Sequence, residues 1–412
     1  MSDGRRLTHK NPGLVRIRRP AFEFYSASFS SASTIENHNS DSDDVTSKET
    51  TATTKVKVSD SEYLKYEEST KRLLKLPLTS FWMETWDDAE TLIRWWLSNG
   101  GGQEDHTSSS DQKIEPVLEL LERMLHELQA ATDNNSIVEF ELSEDIFPSA
   151  INVLRRPQLK LQHVSRLQHI LVGFLKLPGN SSSTSTVKQS HVVQLLGLWY
   201  RTNVPDHKAY HLFLDYKEWA QQNNQILTLP IYQATLEVLS KHGQYQQANE
   251  IMTELWEQYQ EQDTDNDDSL SSVNQQSESL LGPDRSCFHA MILACRKDTS
   301  KAVLADQWFE RMKQQPRTST SSPSLTTYKH ILNIWRQSPD HESTDRCHAL
   351  LLELLEHPEL KVSDPFFLNL VLDKFAQEGH FDRAEDLLKD WMSACGSQVA
   401  MAPDAISLNT VL

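Results

Sequence analysis

The sequence is poor in glycine and cysteine, and it has no long apolar run. Its 412 residues include 12 glycines and contain neither G-x-G-x-x-G nor a Walker A sequence, which disfavours dinucleotide-binding and P-loop enzymes. Cys287, Cys295, Cys347 and Cys395 form no C-x-x-C pair, so zinc ribbons, zinc deaminases and a disulfide scaffold are disfavoured, and a reducing compartment is expected. No apolar run approaches the roughly 18 residues of a membrane span. We therefore expect no membrane span and no small-molecule cofactor.

Positive charge is also scarce. The chain has 40 Lys and Arg against 58 Asp and Glu, a net charge of −18. Residues 190–412 carry 18 basic and 31 acidic residues, and six of these acids lie in residues 260–282. Because phosphate contacts need Lys and Arg, this balance opposes a simple interpretation as a nucleic-acid-binding protein. The position of the charges therefore matters more than their sum.

The N-terminal segment has the opposite charge. Residues 1–22 contain six basic residues and one acid, and residues 21–34 are rich in serine and aromatic residues. A basic, serine-rich, acid-poor composition favours an organellar targeting presequence over residues 1–34, with the mitochondrion ahead of the plastid. The segment lacks an apolar h-region, so a secretory signal is disfavoured. The alternative is a disordered basic N-terminus without a targeting role.

Polar, low-complexity segments divide the rest of the chain. Residues 35–61 are predicted to be a disordered linker, and residues 100–112, 179–189 and 260–282 have a similar composition. Between them, residues 62–187 contain amphipathic stretches over 87–97, 115–128 and 161–175, which predict degenerate helical hairpins.

From residue 188 onward one apolar pattern recurs. It occupies offsets 0, 3, 4 and 7, which is one face of a helix, and we call these four positions the template. Its copies are Val192, Leu195, Leu196, Trp199; Tyr232, Thr235, Leu236, Leu239; Phe288, Met291, Ile292, Cys295; Tyr328, Ile331, Leu332, Trp335; Leu368, Val371, Leu372, Phe375; and Leu408, Val411, Leu412. Successive copies are 40 residues apart, except for one interval of 56 that contains the acidic segment.

A second helix is predicted in each complete copy. A small residue is expected to let it approach the first helix, and these residues are Ala209, Ala248, Ala305, Ala349 and Ala384. Bulky residues follow on the same face, with Leu352 and Leu355 in the fourth copy. Gly243 and Gly379 predict left-handed turns between the two helices, and Pro283, Pro323 and Pro403 end the second helices.

A hairpin with one apolar face on each helix cannot bury both faces alone, whereas stacked hairpins bury them continuously. The sequence therefore predicts an all-α fold, an α-solenoid of tandem helix-turn-helix repeats with disordered linkers. The array covers 188–412, in units 189–228, 229–284, 285–324, 325–364, 365–404 and a partial unit 405–412. Its first helices would line an extended concave surface. Lys241, Arg296, Lys297, Lys301 and Lys374 are predicted near the ends of first helices, at a possible edge of this surface.

These repeats resemble those of the pentatricopeptide-repeat family. The resemblance rests on YQATL at Tyr232, FHAMI at Phe288, YKHIL at Tyr328, LNLVL at Leu368 and LNTVL at Leu408, together with the glycine, the alanine and the closing Pro-Asp. Tetratricopeptide repeats are a rival interpretation, but they usually have a small residue where this template has leucine or isoleucine. HEAT-type repeats, a second rival, lack the Pro-Asp ending and the glycine turn.

The resemblance implies binding of single-stranded RNA, with about one base per repeat. In the family, the residue after the aromatic and the last residue of the repeat face the base. The first set is Gln233, His289, Lys329, Asn369 and Asn409, and the second set is Asp284, Ser324, Asp364 and Asp404. Asn369 with Asp404 matches a combination that the family associates with uracil, and the three earlier pairs depart from the common combinations. The alternative is that these residues are solvated or cap helices.

The expected function is binding of RNA in an organelle, which affects RNA processing, stability or translation by occupancy. No catalytic residue, metal site or cofactor is predicted, and the protein is not expected to be an enzyme. One alternative is a protein–protein scaffold in a mitochondrial or plastid complex, with a peptide or a subunit in the same groove. Another is an RNA-processing nuclease whose catalytic domain lies beyond residue 412.

Overall fold

Helices account for every regular element of the computed structural model over the residues that it describes. These residues are 60–76, 85–99, 111–133, 142–155, 160–177, 187–202, 207–265, 282–315, 322–357, 360, 362, 365–395 and 402–411. Within these ranges there is no strand, and the predicted all-α class is confirmed. No helix of this part of the chain is long and apolar enough to cross a membrane. The predicted presequence and nearly all of the linker over 35–61 lie outside the described residues.

The chain divides into two compact units. The first comprises Met1–Ile146 and Leu177–Asn180. Its helices α1 (Asp60–Leu74), α2 (Trp86–Asn99) and α3 (Asp111–Asp133) pack on one another. Trp96 is buried among them, and its indole N–H donates a hydrogen bond to Thr70 Oγ1 at 3.0 Å.

The second unit comprises Phe147–Lys176 and Ser181–Leu412. Its helices are α4 (Ile146–Leu154, from Phe147 onward), α5 (Leu161–Leu175), α6 (Gln189–Arg201), α7 (Lys208–Gln222), α8 (Leu229–His242), α9 (Tyr245–Asp265), α10 (Arg285–Cys295), α11 (Ala302–Gln314), α12 (Leu325–Gln337), α13 (Ser343–Glu356), α14 (Phe366–Gln377), α15 (Phe381–Cys395) and α16 (Ala405–Val411). Helix α9 continues to Asp265, so the first residues of the predicted linker 260–282 are helical. They contain Glu and Gln, which favour helix, and neither proline nor glycine.

The helices of the second unit alternate between two layers. The first helices α6, α8, α10, α12, α14 and α16 each contact the next one in this series. The second helices α7, α9, α11, α13 and α15 each contact the first helix before them and the first helix after them. This order is the predicted α-solenoid. First helices contact one another more extensively than second helices do, which places the first-helix layer on the inner side of the array.

The template residues form the core between successive hairpins. All four residues of the five complete copies are buried, including the aromatic side chains of Tyr232, Phe288 and Tyr328. In the partial sixth copy, Leu408 is exposed. Burying one large apolar side chain contributes about 1.5–3 kcal/mol, so the template supplies most of the force that stacks the hairpins.

One hairpin of the array was predicted among the degenerate hairpins of 62–187, and its copy of the template was not recognised. Helix α4 buries Phe147, Ala150, Ile151 and Leu154, which are spaced as in the template, and α5 contacts both α6 and α7. The end of α4 also accepts a hydrogen bond from Arg201 of α6, at 3.0 Å to the Arg155 carbonyl. Pro148 after the aromatic and the irregular spacing of 45 residues to Val192 hide this copy in the sequence. The predicted domain boundary at residues 187 and 188 stays a prediction.

The predicted buried face of the fourth second helix is wrong. Helix α13 buries Cys347, Leu350, Leu351 and Leu354, whereas Ala349 is exposed and Leu352 and Leu355 are 45% and 40% exposed. The segment Leu350–Leu355 is apolar on more than one face, so the sequence pattern does not define the buried side. Cys347 is a small apolar residue and takes the position that alanine has in the other hairpins.

A polar clamp joins successive hairpins at two places. Tyr328 Oη donates to Glu353 Oε1 at 2.8 Å, and the same carboxylate lies 3.0 Å from Lys313 Nζ of the preceding second helix. Tyr232, Glu254 and Lys217 repeat this arrangement. Tyr232 Oη donates to Glu254 Oε1 at 3.3 Å, and Lys217 Nζ lies 2.5 Å from Oε2 of the same carboxylate. Burial of Tyr328 and its carboxylate partner raise the pKa of the phenol, so it remains a donor.

Two glycines form the left-handed turns that the sequence predicts. Gly243 and Gly379 have φ angles of 71° and 74°. The next amides close each turn, from Gln244 to the Leu239 carbonyl at 2.9 Å and from His380 to the Phe375 carbonyl at 2.8 Å. A residue with a Cβ is strained at such φ values, which explains glycine at both turns.

The revised register of α13 can be tested with two adjacent leucines. Leu351→Ala should lower the free energy of unfolding by about 2–5 kcal/mol because it leaves a cavity in the core. Leu352→Ala is the matched control, and it should change this free energy by less than about 0.5 kcal/mol because the side chain is largely exposed. Urea denaturation followed by circular dichroism measures both. A larger loss for Leu352→Ala than for Leu351→Ala would show that the register is wrong.

Candidate nucleic-acid interface

Polar side chains recur at the N-terminal ends of the first helices. Each lies one residue after the start of the template, and we call this set the polar row: Gln233, His289, Lys329 and Asn369. None of them is buried, and Lys329 is exposed. They therefore lie at equivalent places on successive helices of the inner layer and face the first turn of the next unit.

The row begins with a hydrogen bond between units. Gln233 Nε2 donates to Asp284 Oδ2 at 2.8 Å, across the boundary between α8 and α10. Asp284 is also the N-cap of α10, where its Oδ1 accepts from the Cys287 amide at 3.1 Å. Burial and the charge of Asp284 raise the pKa of Glu237, which is the next acid on α8. This end of the row therefore carries two carboxyl groups, Asp284 and Glu237.

Asn369 makes the most complete contact of the row. Its Nδ2 donates to Asp404 at 3.1 Å, and its Oδ1 accepts from Ser407 Oγ at 2.6 Å. Asp404 in turn accepts from the Ser407 amide at 2.8 Å, at the start of α16. These bonds, first of all the one from the Ser407 amide, lower the pKa of Asp404. The orientation of the Asn369 amide is fixed because one of its groups donates and the other accepts.

His289 contacts the next unit through a hydroxyl group. Its Nε2 lies 2.5 Å from Thr327 Oγ1, and Thr327 forms a capping box with Ser324 at the start of α12. The ring of His330 packs edge-on against His289, with centroids 5.9 Å apart. Burial, with a smaller effect of the charges of His330 and Arg285, lowers the pKa of His289 to about 4. At neutral pH the ring is uncharged and offers one donor and one acceptor.

Lys329 departs from this arrangement. Its ammonium lies 4.7 Å from the centroid of the Phe366 ring at the start of α14. The predicted partner of Lys329, Asp364, lies outside the described residues. Asn409, the last residue of the first predicted set, is exposed on α16.

The structure thus brings together Gln233 with Asp284, His289 with the cap containing Ser324, and Asn369 with Asp404. Asp284, Ser324 and Asp404 each cap a helix, as the alternative interpretation expected. Asp284 and Asp404 also accept a hydrogen bond from the preceding unit, whereas His289 contacts Thr327, the partner of Ser324 in its capping box. The capping role and the predicted base-facing role are therefore compatible, and the assignment of base contacts stays a prediction.

Two exposed apolar residues beside the row were missed by the sequence analysis. Phe366 is 36% exposed and Ile406 is 63% exposed, and both lie two residues before the start of a template copy. Phe366 is also one helical turn from Asn369, so the two share a helix face. The signal in the sequence was a large apolar residue at a position where the preceding copies have Pro230, Ser286 and Thr326.

The basic residues at the other end of the first helices have different roles. Lys241 Nζ donates to the carbonyls of Tyr200 and Thr202, at the end of α6. Lys374 is buried, and it donates to the Ser338 carbonyl at 3.1 Å and to Glu378 at 2.8 Å. These two lysines stabilise helix ends, where the backbone carbonyls carry partial negative charge. Arg296 and Lys297 are exposed, so their side chains can reach a ligand at the predicted edge of the concave surface.

No group of three or more His, Cys, Asp or Glu residues suited to a metal ion occurs in the part of the chain that the structure describes. Cys287, one residue before the template, is buried, and burial raises the pKa of its thiol well above the usual value. The expected absence of a catalytic site stays a prediction.

The low pKa of His289 predicts a pH dependence of stability. The ordinary pKa of histidine is 6.5, and the pKa of His289 in the folded protein is about 4. As the pH falls, His289 therefore binds a proton in the unfolded chain before it does so in the folded protein. The stability contributed by neutral His289 is present above pH 6.5 and is lost as the pH falls toward 4. The stability advantage of the wild type over His289→Gln should therefore shrink by about 1 kcal/mol between pH 7.5 and 5.5.

Urea denaturation at both pH values measures this difference. His169→Gln is the matched control because His169 is exposed on α5. Its difference from the wild type should be the same at both pH values. An advantage over His289→Gln that stays constant or grows on acidification would contradict the environment described for His289.

Comparison with known proteins gave matches among solved structures alone. No protein-family model matches the chain, and no curated protein matches it. Among solved structures, the pentatricopeptide repeat protein PPR10 in complex with an 18-nt psaJ RNA element is 13% identical, with a TM-score of 0.28. PPR10 from maize, in a separate structure, is 14% identical, with a TM-score of 0.23. Each match covers 85% of this chain and 58% of the other, so the chain spans little more than half the length of these proteins.

Both structures are of PPR10, a pentatricopeptide repeat protein. The order and contacts of the helices in this chain establish its repeat fold independently of these matches.

Proposed function

We propose that the first-helix layer of the second unit binds single-stranded RNA. The polar row supports this proposal, because it repeats one kind of side-chain position from unit to unit along the inner layer. A polymer with a regular repeat is the ligand that such a row fits. PPR10, in the structure with an RNA element, is an example of a helical-repeat protein bound to such a polymer.

Asn369 has the chemistry to distinguish bases. Ser407 donates to its carbonyl oxygen and Asp404 accepts from its amide nitrogen, so the amide cannot rotate without losing both bonds. One N–H and one oxygen lone pair remain for a ligand. A donor beside an acceptor complements a Watson–Crick edge with a carbonyl oxygen beside an N–H, which uracil and guanine both have. Because the resembled family associates the combination of Asn369 and Asp404 with uracil, we assign uracil to Asn369.

Exposed apolar groups at the same place would hold the base by stacking. Phe366 precedes Asn369 on α14, and Ile406 follows Asp404 on α16. Stacking of a base on an aromatic ring contributes about 1–3 kcal/mol, which is comparable to a good base-edge contact. In a chain with excess negative charge, such uncharged contacts are the main source of affinity.

The affinity for RNA should depend only weakly on salt concentration, because few phosphate contacts contribute to it. Arg296 and Lys297, directly after α10, and Lys329 on α12 are the exposed basic residues in or directly after the described first helices from α8 to α14. Each phosphate contact to a single strand contributes about −0.7 to the slope of log K against log salt concentration, so we expect a slope of about −2. Fluorescence anisotropy with labelled RNA between 50 and 300 mM salt, as a rough working range, measures it.

Asn369→Ala tests the readout directly. With an RNA selected for binding, this variant should lose about tenfold in affinity, or 1.4 kcal/mol, when uracil is at the assigned position. It should lose much less when cytosine replaces that uracil. Gln307→Ala is the matched control, since Gln307 is exposed on the second helix α11. An equal loss on both RNAs would refute the assignment of uracil.

We further propose that the protein acts in an organelle, the mitochondrion ahead of the plastid, and affects processing, stability or translation of an RNA by occupying it. The composition of residues 1–34 supports this location. Residues 1–34 fused to a fluorescent protein should direct it to the organelle, and a fusion in which Arg16, Arg18 and Arg19 are replaced by Gln should not enter. Diffuse fluorescence of the first fusion would contradict the proposal.

The excess of acidic residues favours one second candidate, a scaffold whose groove binds a protein. RNA binding and this function give different results in the same assay. Phosphate contacts are strong at low salt, so RNA binding should be easiest to detect at about 50 mM salt. Absence of RNA binding under this condition would refute the proposed function and favour the scaffold.

A further inference from the structure

The polar row changes its chemistry at Lys329. In the units of Gln233, His289 and Asn369, an uncharged side chain is hydrogen-bonded to the first turn of the next unit. Among the described residues Lys329 makes no such bond. Its ammonium has neither a hydrogen-bond acceptor nor an acidic partner among them, and it lies over the ring of Phe366 at 4.7 Å.

The surroundings of Lys329 are positively charged. Burial and the charges of Arg296 and Lys329 lower the pKa of His330, which is the next residue on α12. By contrast, carboxylates lie at the two ends of the row, where Asp284 contacts Gln233 and Asp404 contacts Asn369. Among the described residues the row thus has a basic side chain at its centre and hydrogen-bonded carboxylates at both ends.

An ammonium group cannot read a base as an amide does. It has three donors and no acceptor, on a flexible stem, whereas a base edge is identified by a pattern of donors and acceptors. Lysine binds phosphate as a point charge. The ammonium also covers one face of Phe366, so a base cannot stack on that face. Both effects exclude base readout at this unit and favour the RNA backbone.

We propose that the unit containing Lys329 binds a phosphate group of the RNA and does not read a base. The inference rests on the proposed RNA binding. Bound RNA would then have two base-specific segments, one on the units of Gln233 and His289 and one on Asn369, separated by a nucleotide of any identity. Lys329 is the residue that determines this interruption.

An abasic scan of a selected RNA tests the interruption in the full-length protein. Single abasic nucleotides should weaken binding about tenfold at the flanking positions and less than twofold at one internal position. The register is assigned with Asn369→Ala and Gln233→Ala, because each should abolish the effect of an abasic nucleotide at its own position. The tolerant position should lie directly beside the one assigned to Asn369, on the side toward Gln233.

Charge at the tolerant position is tested with a methylphosphonate linkage. At that nucleotide the neutral linkage should weaken binding by the wild type about fivefold but leave binding by Lys329→Gln unchanged. The variant should also reduce the magnitude of the slope of log K against log salt concentration by about 0.7. Lys389→Gln is the matched control, since Lys389 is exposed on the second helix α15 and paired with Glu385. It should behave as the wild type.

The outcomes separate the two proposals. If no RNA is selected, the proposed function fails. If RNA binds and an abasic nucleotide at every position costs the same, or if Lys329→Gln keeps its sensitivity to the neutral linkage, RNA binding stands and the interruption at Lys329 is wrong.

Discussion

Burial of one aromatic or aliphatic side chain at the start of each first helix is the constraint on which the array depends. Tyr232, Phe288, Tyr328 and Leu368 are buried between a first helix and the hairpins beside it. Once this side chain is fixed, the residue that follows lies about 100° farther round the helix, at the edge of the buried face, and it is partly or fully exposed in each of these four units. Core packing therefore places the polar row at equivalent positions. Its spacing is the spacing of stacked hairpins.

The ends of the helices add a second constraint. The N-terminal turn of a first helix has free amide groups, and Asp284, Ser324 and Asp404 satisfy them. In the same place these caps, or the residues bonded to them, contact Gln233, His289 and Asn369 of the preceding unit. Hence the side chains that would face a ligand are oriented before it binds. Such preorganisation reduces the entropy that binding must overcome.

The sequence predicted the layers and most buried positions because a template of fixed spacing determines them. It failed where the local pattern was ambiguous. Leu350–Leu355 has apolar residues on more than one face, so tertiary packing had to select Leu351 and leave Leu352 exposed. Pro148 and an unusual interval hid the hairpin of α4 and α5. For the candidate site, the family resemblance indicated the positions of Asn369 and Asp404. It could not show that Lys374 is buried, that His289 is neutral, or that Lys329 lies over Phe366.

The interfaces between hairpins also differ in their chemistry. Lys217 with Glu254 and Lys313 with Glu353 form ion pairs at two of them. At the interface between, Phe288 replaces the tyrosine, and the guanidinium of Arg311 lies 4.4 Å from the Trp308 ring and 5.9 Å from the Trp256 ring. Dissolved ions screen paired charges on a partly exposed surface far more than they weaken a cation packed against aromatic rings. Concentrated salt therefore weakens the two Lys–Glu pairs more than the cation–aromatic contact, so the interface between the hairpins of α8–α9 and α10–α11 is the least sensitive to salt of these three.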